Sequence, residues 1–544
     1  MNLREILKTG CAAFFLMFAP FDALLAEDAL EAGSVFQIQE IEYHISGRTK
    51  ESALTEAAGI KKGAVFKNEE SLLEYLNQKK QALVNTRIFS TVNIEYAPLD
   101  DFAASGAVKV DVYTTDTLNF LITPYPKYDS NTGFLLKLRM YDSNIFGLMS
   151  LLKADLGWSY SQDVPGSGFK NSALAAIDAV IPFTAAGLRW EASIFSDNVF
   201  SFDKETPFQS ENVVGISANF NFGRMVLTAG FNETIITPSL NEARQVERVD
   251  GDFKIDEQLN KDEYIINKTK RVLDEWLLSS NPYVNLKIPV KHEFFEPLGA
   301  ALKMGLGASF NYAPFVQISD ENGGASIIAM QQIGYTKIDW LGNIRNGSLA
   351  YIQNDSAYNF IKGAFSGSVS AVFTRHKKIT DFFGFSVRLK YKQWFNSDKS
   401  YTLQSSGEGG AVLRGVRDKS ILSDLSFSAN LDFPFLLFVF TPSEWFDKKS
   451  LRYFNFELYC SPILDCAFIK GTQFNSISNE QKNININFSD MFITGGMEFI
   501  FFPLSWRSLY LRFSLAFNMR EMISLGAVPS ADGREIFIGI GSYY

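Results

Sequence analysis

Leu509-Tyr510-Leu511-Arg512-Phe513-Ser514-Leu515-Ala516-Phe517-Asn518-Met519-Arg520 alternates without a break. One face carries Leu509, Leu511, Phe513, Leu515, Phe517 and Met519; the other carries Tyr510, Arg512, Ser514, Ala516, Asn518 and Arg520. Successive side chains of an extended chain point to opposite faces, so a period of two reads as a β-strand. Phe383–Lys392 repeats the pattern, with Phe383, Phe385, Val387, Leu389 and Tyr391 opposing Gly384, Ser386, Arg388, Lys390 and Lys392. In Phe134–Tyr141, Phe134, Leu136, Leu138 and Met140 oppose Leu135, Lys137, Arg139 and Tyr141. A soluble sandwich also alternates, but its strands are usually about five or six residues long. These runs reach about ten residues, the length that crosses a bilayer at a tilt.

Composition fits the same pattern. The 544 residues include 50 phenylalanines, yet mean hydropathy is only −0.02. A wall strand with one face on lipid and one on water averages to that value. The net charge of −9 argues against a nucleic-acid partner, which would require a basic footprint. Three cysteines and three histidines exclude a disulfide scaffold and oppose a histidine-based metal cluster. No cofactor is expected.

Residues 1–26 have a basic start (Arg4, Lys8), an apolar stretch from Cys11 to Pro20 and small or apolar residues to Ala26, the layout of a secretory signal peptide. The competing reading, a short membrane anchor, meets a run too short to span and interrupted by Asp22. Cys11 precedes the apolar region instead of following it, against a lipoprotein signal. Nothing downstream is long and apolar enough for a transmembrane helix. A closed barrel is then the remaining way to cross a membrane.

Residues 35–115 read as a separate small domain of order β-α-α-β-β. Val35–Ile45 alternates, Glu51–Ala58 reads as a helix ending at Gly59, and Asn68 caps a second helix carrying Leu72, Leu73, Leu76 and Leu83. Strands follow at Ile88–Tyr96 and Val108–Tyr113. The exposed edge of such a sheet can take an extended peptide as one more strand. Ile88, Phe89, Val92, Ile94, Val108, Val110 and Val112 are the candidate client edge. A spacer that only orients the next domain fits the same residues.

From 117 to 544 the chain reads as an antiparallel transmembrane β-barrel. Short turns (Asp142–Gly147, Pro182–Gly187, Leu341–Gly347) alternate with longer polar loops (Ser201–Asn212, Ser397–Asp418), as tight periplasmic turns and longer external loops would. Residues 238–281 are densely charged and read as an external insertion, either a solvated loop or a folded cap. The wall has 16 strands if Val284–Ala313 belongs to that excursion and 18 if it forms another hairpin.

The most specific residues lie near the carboxyl terminus. Gly407–Gly410 precedes Leu413-Arg414-Gly415-Val416. In Leu425–Phe435 the alternation turns Asp432 inward with Ser426, Ser428 and Asn430; in Tyr453–Phe468 it turns Asp465 inward with Glu457, Tyr459 and Ser461. A lumenal arginine would need such carboxylates, because guanidinium cannot shed its charge. An exposed Arg414 above a wet pore satisfies the pattern equally. Cys460 and Cys466 fall on the lipid side, about 20 Å apart if extended, too far to bond.

Gly410–Val416 resembles the loop motif of BamA/TamA-type barrels, the superfamily that joins POTRA domains to a bacterial surface antigen barrel. Ile463-Leu464-Asp465-Cys466-Ala467 falls where that family has Phe-x-Asp-x-Gly. Asn430-Leu431-Asp432-Phe433-Pro434 is similar to its acidic strand segment, and Tyr141–Gly147 to its first periplasmic turn. Gly47, Ala58-Gly59-Ile60, Gly63, Phe66 and Arg87-Ile88-Phe89 resemble a POTRA domain, and Phe537–Tyr544 resembles a barrel-insertion signal. Val416 stands for the family's aromatic, Ile463 for its phenylalanine, Ala467 for its glycine, and Ser542 breaks the terminal spacing.

The resemblance implies that Arg414 and Gly415 lie in the lumen with Arg414 meeting Asp432 and Asp465. It also implies a pliable terminal seam at Gly539, Gly541 and Tyr544, although barrel glycines also serve plain curvature. The function implied is an outer-membrane assembly or translocation factor, with the POTRA domain in the periplasm. Its partners would be lipid, extended client proteins and accessory assembly proteins. The alternative is a passive pore or structural barrel with the POTRA domain as a tether. No enzyme is expected, since His44, His292 and His376 are scattered.

Overall fold

The computed structural model describes residues 36–540 apart from 100–105, 130–132, 162–169, 203–208, 237–276, 293–294, 313–323, 362, 397–412, 417–420, 475–480, 508–509 and 530–532. The signal-like segment 1–26, most of the charged stretch, Gly407–Gly410, Gly541 and Tyr544 lie outside the described residues.

The small domain runs β1 (Phe36–Ser46), α1 (Glu51–Ala58), β2 (Val65–Phe66), α2 (Glu69–Asn85), β3 (Phe89–Pro98) and β4 (Ala107–Asp116). Helix α1 stops at Gly59, whose φ of +57° is open to glycine and whose N–H bonds to Thr55 O. At the start of α2 the Asn68 side chain accepts from Ser71 N at 2.8 Å, and Ser71 Oγ accepts in return from Asn68 N. Leu72, Leu76 and Leu83 recur every four or seven residues and pack onto Ile38, Leu54, Val108, Val110 and Val112. The sheet order is β2-β1-β4-β3, with β1 and β4 parallel. Two-residue β2 is too short to show alternation, so the expected β-α-α-β-β order gains one edge strand.

The remaining strands form a closed antiparallel barrel from Phe120–Asp129 to Arg534–Ile540. Ile421–Asp432 and Phe435–Phe440 share one wall position against Phe456–Phe474, separated where Pro434 cannot donate to the ladder. Gln481–Ile484 and Phe492–Pro503 share another, so the wall has 18 strands. Sixteen fails because Leu277–Pro289 and Ala301–Tyr312 pair with each other and with both neighbours. The charged insertion accordingly ends before Leu277, and residues 277–281 belong to the wall. The opening run is also shorter than its alternation. It is strand over Leu511–Asn518, after which Asn518 caps the helix Met519–Leu525 and removes Met519 and Arg520 from the wall.

Alternation sorts the two faces. Leu136 and Leu138 are exposed outward, whereas Arg139 between strands of the same sheet is only 3% exposed. Phe427, Leu464 and Phe513 stand outward, and Ser426, Asp465 and Arg512 are buried inward. Cys460 and Cys466 are free thiols, and Cys460 Sγ lies 3.2 Å from Met497 Sδ. Among the described residues no helix is long and apolar enough to cross a membrane.

Candidate functional site

Inward-facing positions of neighbouring strands converge on one arginine. Leu413 and Val416 are buried with Ile421, Ala467, Ile469, Ile484 and Phe492, which draws the loop between them into the barrel. Arg414 is 1% exposed. Its Nε and Nη2 donate to the two oxygens of Asp465 at 2.9 and 2.6 Å, and Nη1 donates to Asp432 Oδ1 at 2.7 Å. The main-chain N–H of Arg414 donates to Asp465 Oδ2 as well, at 3.1 Å. Arg414 therefore lies in the lumen, not in an exposed loop. The bidentate pairing fixes both the position and the orientation of the loop.

Gly415 extends this cluster. Its φ is +88°, and a Cβ there would lie 2.9 Å from the Phe517 backbone, so only glycine lets the loop lie this close to the wall. Its N–H donates to Glu535 Oε2 at 3.0 Å, which ties the loop to the last wall strand. Glu498 adds a third carboxylate to the arginine's surroundings, 3.9 Å from Arg414 Nη1 and 3.4 Å from Arg512 Nη1. Glu498 and Glu535 were not among the expected site residues. Phe492–Pro503 has two adjacent glycines and paired phenylalanines that blur its alternation, and Ile536-Phe537-Ile538 is apolar on both faces.

Among the described residues the ladder that closes the wall is short. The last strand, Arg534–Ile540, meets the first, Phe120–Asp129, only through Phe537 opposite Asp129 and Ile538 opposite Tyr128 among the described residues. Elsewhere neighbours run in register along most of their length, as from Ser326–Asn359 to Leu341–Ile344. The first strand explains the difference. Asn119 O accepts from Ser143 N at 3.0 Å, so odd-numbered backbone groups there face the second strand, Gly133–Asp142. The register then continues unbroken, which turns the nitrogens of Pro124 and Pro126 to the seam. Proline has no N–H to give, and the ladder stops where Pro126 would enter it.

Side chains close the seam from inside. Phe537 and Tyr125 are each 1% exposed. The Arg512 guanidinium lies 4.4 Å from the Phe537 ring centroid and Arg139 lies 4.3 Å from that of Tyr125. Gly539 leaves room for this packing, because a Cβ there would meet the Phe537 ring at 2.6 Å.

The expected client edge divides between an inner and an outer strand. Strand β4 lies between β1 and β3, so Val108, Val110 and Val112 have their backbones paired on both sides and their side chains in the core. Ile88 and Phe89 are buried as well, while Val92 and Ile94 lie on β3, the outer strand of the sheet. On the β4 side of the sheet, an added strand would pair with β3, residues 89–98.

The small domain docks onto the barrel turns. Arg87, at φ +57°, lies over the Trp340 ring at 4.3 Å, donates to Asn343 Oδ1 at 2.9 Å and bonds to Arg507 O. Burial pulls its pKa down to about 10, so it stays charged at neutral pH. Asn85 Nδ2 donates to Asp339 Oδ1 at 2.9 Å, and Arg48 pairs with Asp142. Lys50 N donates to Gly147 O at 2.9 Å. Glu42, His44 and Asp111 converge as a metal site would, but Lys109 Nζ bonds both carboxylates and occupies the space between them.

No family model matches the chain, and no curated protein matches it. Among solved structures it is similar to CdiB from Escherichia coli, at 13% identity and a TM-score of 0.47, covering 93% of this chain and 76% of that one. CdiB from Acinetobacter baumannii is 11% identical, with a TM-score of 0.43 and coverage of 93% and 74%. BamA from Haemophilus ducreyi lacking POTRA domains 1–3 is 13% identical, with a TM-score of 0.36 and coverage of 93% and 84%. The barrel of this chain stands on its own strand ladder.

Proposed function

We propose that the chain is an outer-membrane assembly or translocation factor, with its barrel in the membrane and its small, POTRA-like domain in the periplasm. The observation that carries this reading is the seam, where two prolines remove donors from the first strand and, among the described residues, two residue pairs join the first and last strands. A strand edge short of partners is a template for another chain. The β3 edge supplies the receiving surface, because main-chain pairing binds an extended segment with little demand on its sequence. Client folding or passage drives the process, and accessory assembly proteins complete it. The role in this reading is non-enzymatic, with the Arg414 cluster a structural pairing.

Depletion of the protein should lower the abundance of other outer-membrane proteins, and photo-crosslinkers at residues 89–98 should capture an extended client. Unchanged abundance would sink the general assembly role, and crosslinks only within the chain would sink client reception. A second reading, a passive pore with the small domain as tether, is favoured by the docking of Arg87 on Trp340 and Asn343. Channel conductance in planar bilayers that is unaffected by deletion of the small domain supports that alternative.

A further inference from the structure

At the end of the barrel that carries the small domain, several hairpins turn tightly, as at Ala185–Leu188, Phe222–Met225 and Leu341–Ile344. Residues 441–455 are different. They form a folded connection containing the short helix Pro442–Trp445 and the 3-10 turn Lys449–Phe454. It is closed on itself, since Asn455 Nδ2 donates to Ser443 Oγ at 2.7 Å and Glu444 N to Thr441 O at 3.0 Å. Ser505 Oγ donates to Arg452 O at 2.9 Å and fastens it to the next turn.

This construction presents large apolar side chains to the outside. Trp445, Phe446 and Phe454 are 60%, 65% and 64% exposed. They continue the outer wall. Leu437, Phe438 and Val439 are exposed just above, Phe440 meets the Trp445 ring edge-on at 4.9 Å, and Phe456 packs on Phe440 at 5.1 Å. Beside them stand Lys448, Lys449 and Arg452, all exposed. No carboxylate among the described residues lies within ion-pair distance of any of the three. Glu444 and Asp447 nearly balance the segment's net charge, so any anion is held by local contact and not by a long-range field.

We infer that residues 441–455 are an interfacial anchor that takes the phosphate of an anionic phospholipid between Lys448, Lys449 and Arg452, with Trp445, Phe446 and Phe454 among the acyl chains. It rests on the reading of the wall as lipid-facing. Aromatic rings favour the boundary between acyl chains and headgroups, and basic side chains beside them meet the headgroup phosphates. The occupant is lipid because the exposed aromatics continue the apolar wall without a step.

The test uses the full-length chain reconstituted in nanodiscs of phosphatidylcholine with a minor share of phosphatidylglycerol. Detergent release followed by native mass spectrometry should find phosphatidylglycerol retained by the wild type. The combined variant Lys448→Gln, Lys449→Gln, Arg452→Gln should retain several-fold less while keeping its heat-modifiable migration. Brominated lipid should quench Trp445, measured as the difference from Trp445→Phe. Equal retention by wild type and variant overturns the phosphate site. Quenching of the wall tryptophans without that of Trp445 overturns the anchor and leaves the face to a protein partner. Absence of all quenching overturns the membrane reading itself, and the anchor with it.

Discussion

Arg414 carries a charge into a place that water does not reach, and the consequences follow from its pairing geometry. Its guanidinium bonds Asp465 through two nitrogens and Asp432 through a third. Lysine offers a compact ammonium that cannot repeat that fork. Arg414→Lys should therefore behave as a broken buried pair, costing on the order of 3–5 kcal/mol. The temperature at which the folded barrel loses its fast gel migration should fall, and an unchanged midpoint would count against the cluster as a stabilising element. Gly415→Ala tests the same loop without touching a charge. Its added Cβ meets the Phe517 backbone at 2.9 Å, so the loop must lift and Glu535 must lose its donor. The midpoint should fall there too. Strand parity alone turned Asp432 and Asp465 inward, but nothing local placed Arg414 beside them until the apolar neighbours Leu413 and Val416 buried the loop. Val416 and Ala467 lie together in that apolar cluster.

Among the elements, the small domain shows where local pattern stops being informative. One helix stop and one helix start were legible, because Gly59 and Asn68 mark them through backbone freedom and hydrogen bonding. Sheet order was not legible. Alternating valines in β4 suit an edge and a centre alike, and only the parallel pairing with β1 puts β4 inside. That pairing also brings His44 of β1 to Asp111, beside Lys109 of the same strand. Burial works to raise the Asp111 carboxyl, but hydrogen bonds from His44 and Lys109 outweigh it and hold the group below the ordinary aspartate value. A carboxyl depressed in the folded state stabilises the fold above the unfolded pKa of about 3.9 and loses that contribution as pH falls through the folded value. Amide exchange along β1 and β4 in the full chain, taken relative to the intrinsic rate at each pH, should accelerate below about pH 4. The acceleration should be smaller in Asp111→Asn, which has no proton to gain. Equal acid sensitivity in both chains would show that other groups set it.

For the molecule as a whole, the wall and its closure have different origins. Alternation specifies a wall strand wherever one face meets an apolar surround, which is why the barrel could be read from Leu511–Asn518 and its like. Closure depends on which backbone groups the first and last strands still offer each other. Pro124 and Pro126 stand two residues apart on the same backbone edge, so both nitrogens turn to the seam. Continuing the register of Ile538 opposite Tyr128 would set Pro126 against Ile540, where a donor is missing. Restoring the donors in Pro124→Thr, Pro126→Val should let the ladder extend, at about 0.5–1.5 kcal/mol for each bond formed. The heat-modification midpoint should then rise while client handling falls, since a fully paired edge no longer offers a template. The opposite manipulation gives an internal control. Tyr128→Cys with Ile538→Cys places thiols on facing outward positions, and oxidation should arrest client handling until a reductant restores it. If the oxidised barrel handles clients as well as the reduced one, the seam is not their route. A proline-free first strand that raises stability without slowing clients would exclude the seam independently of the crosslink.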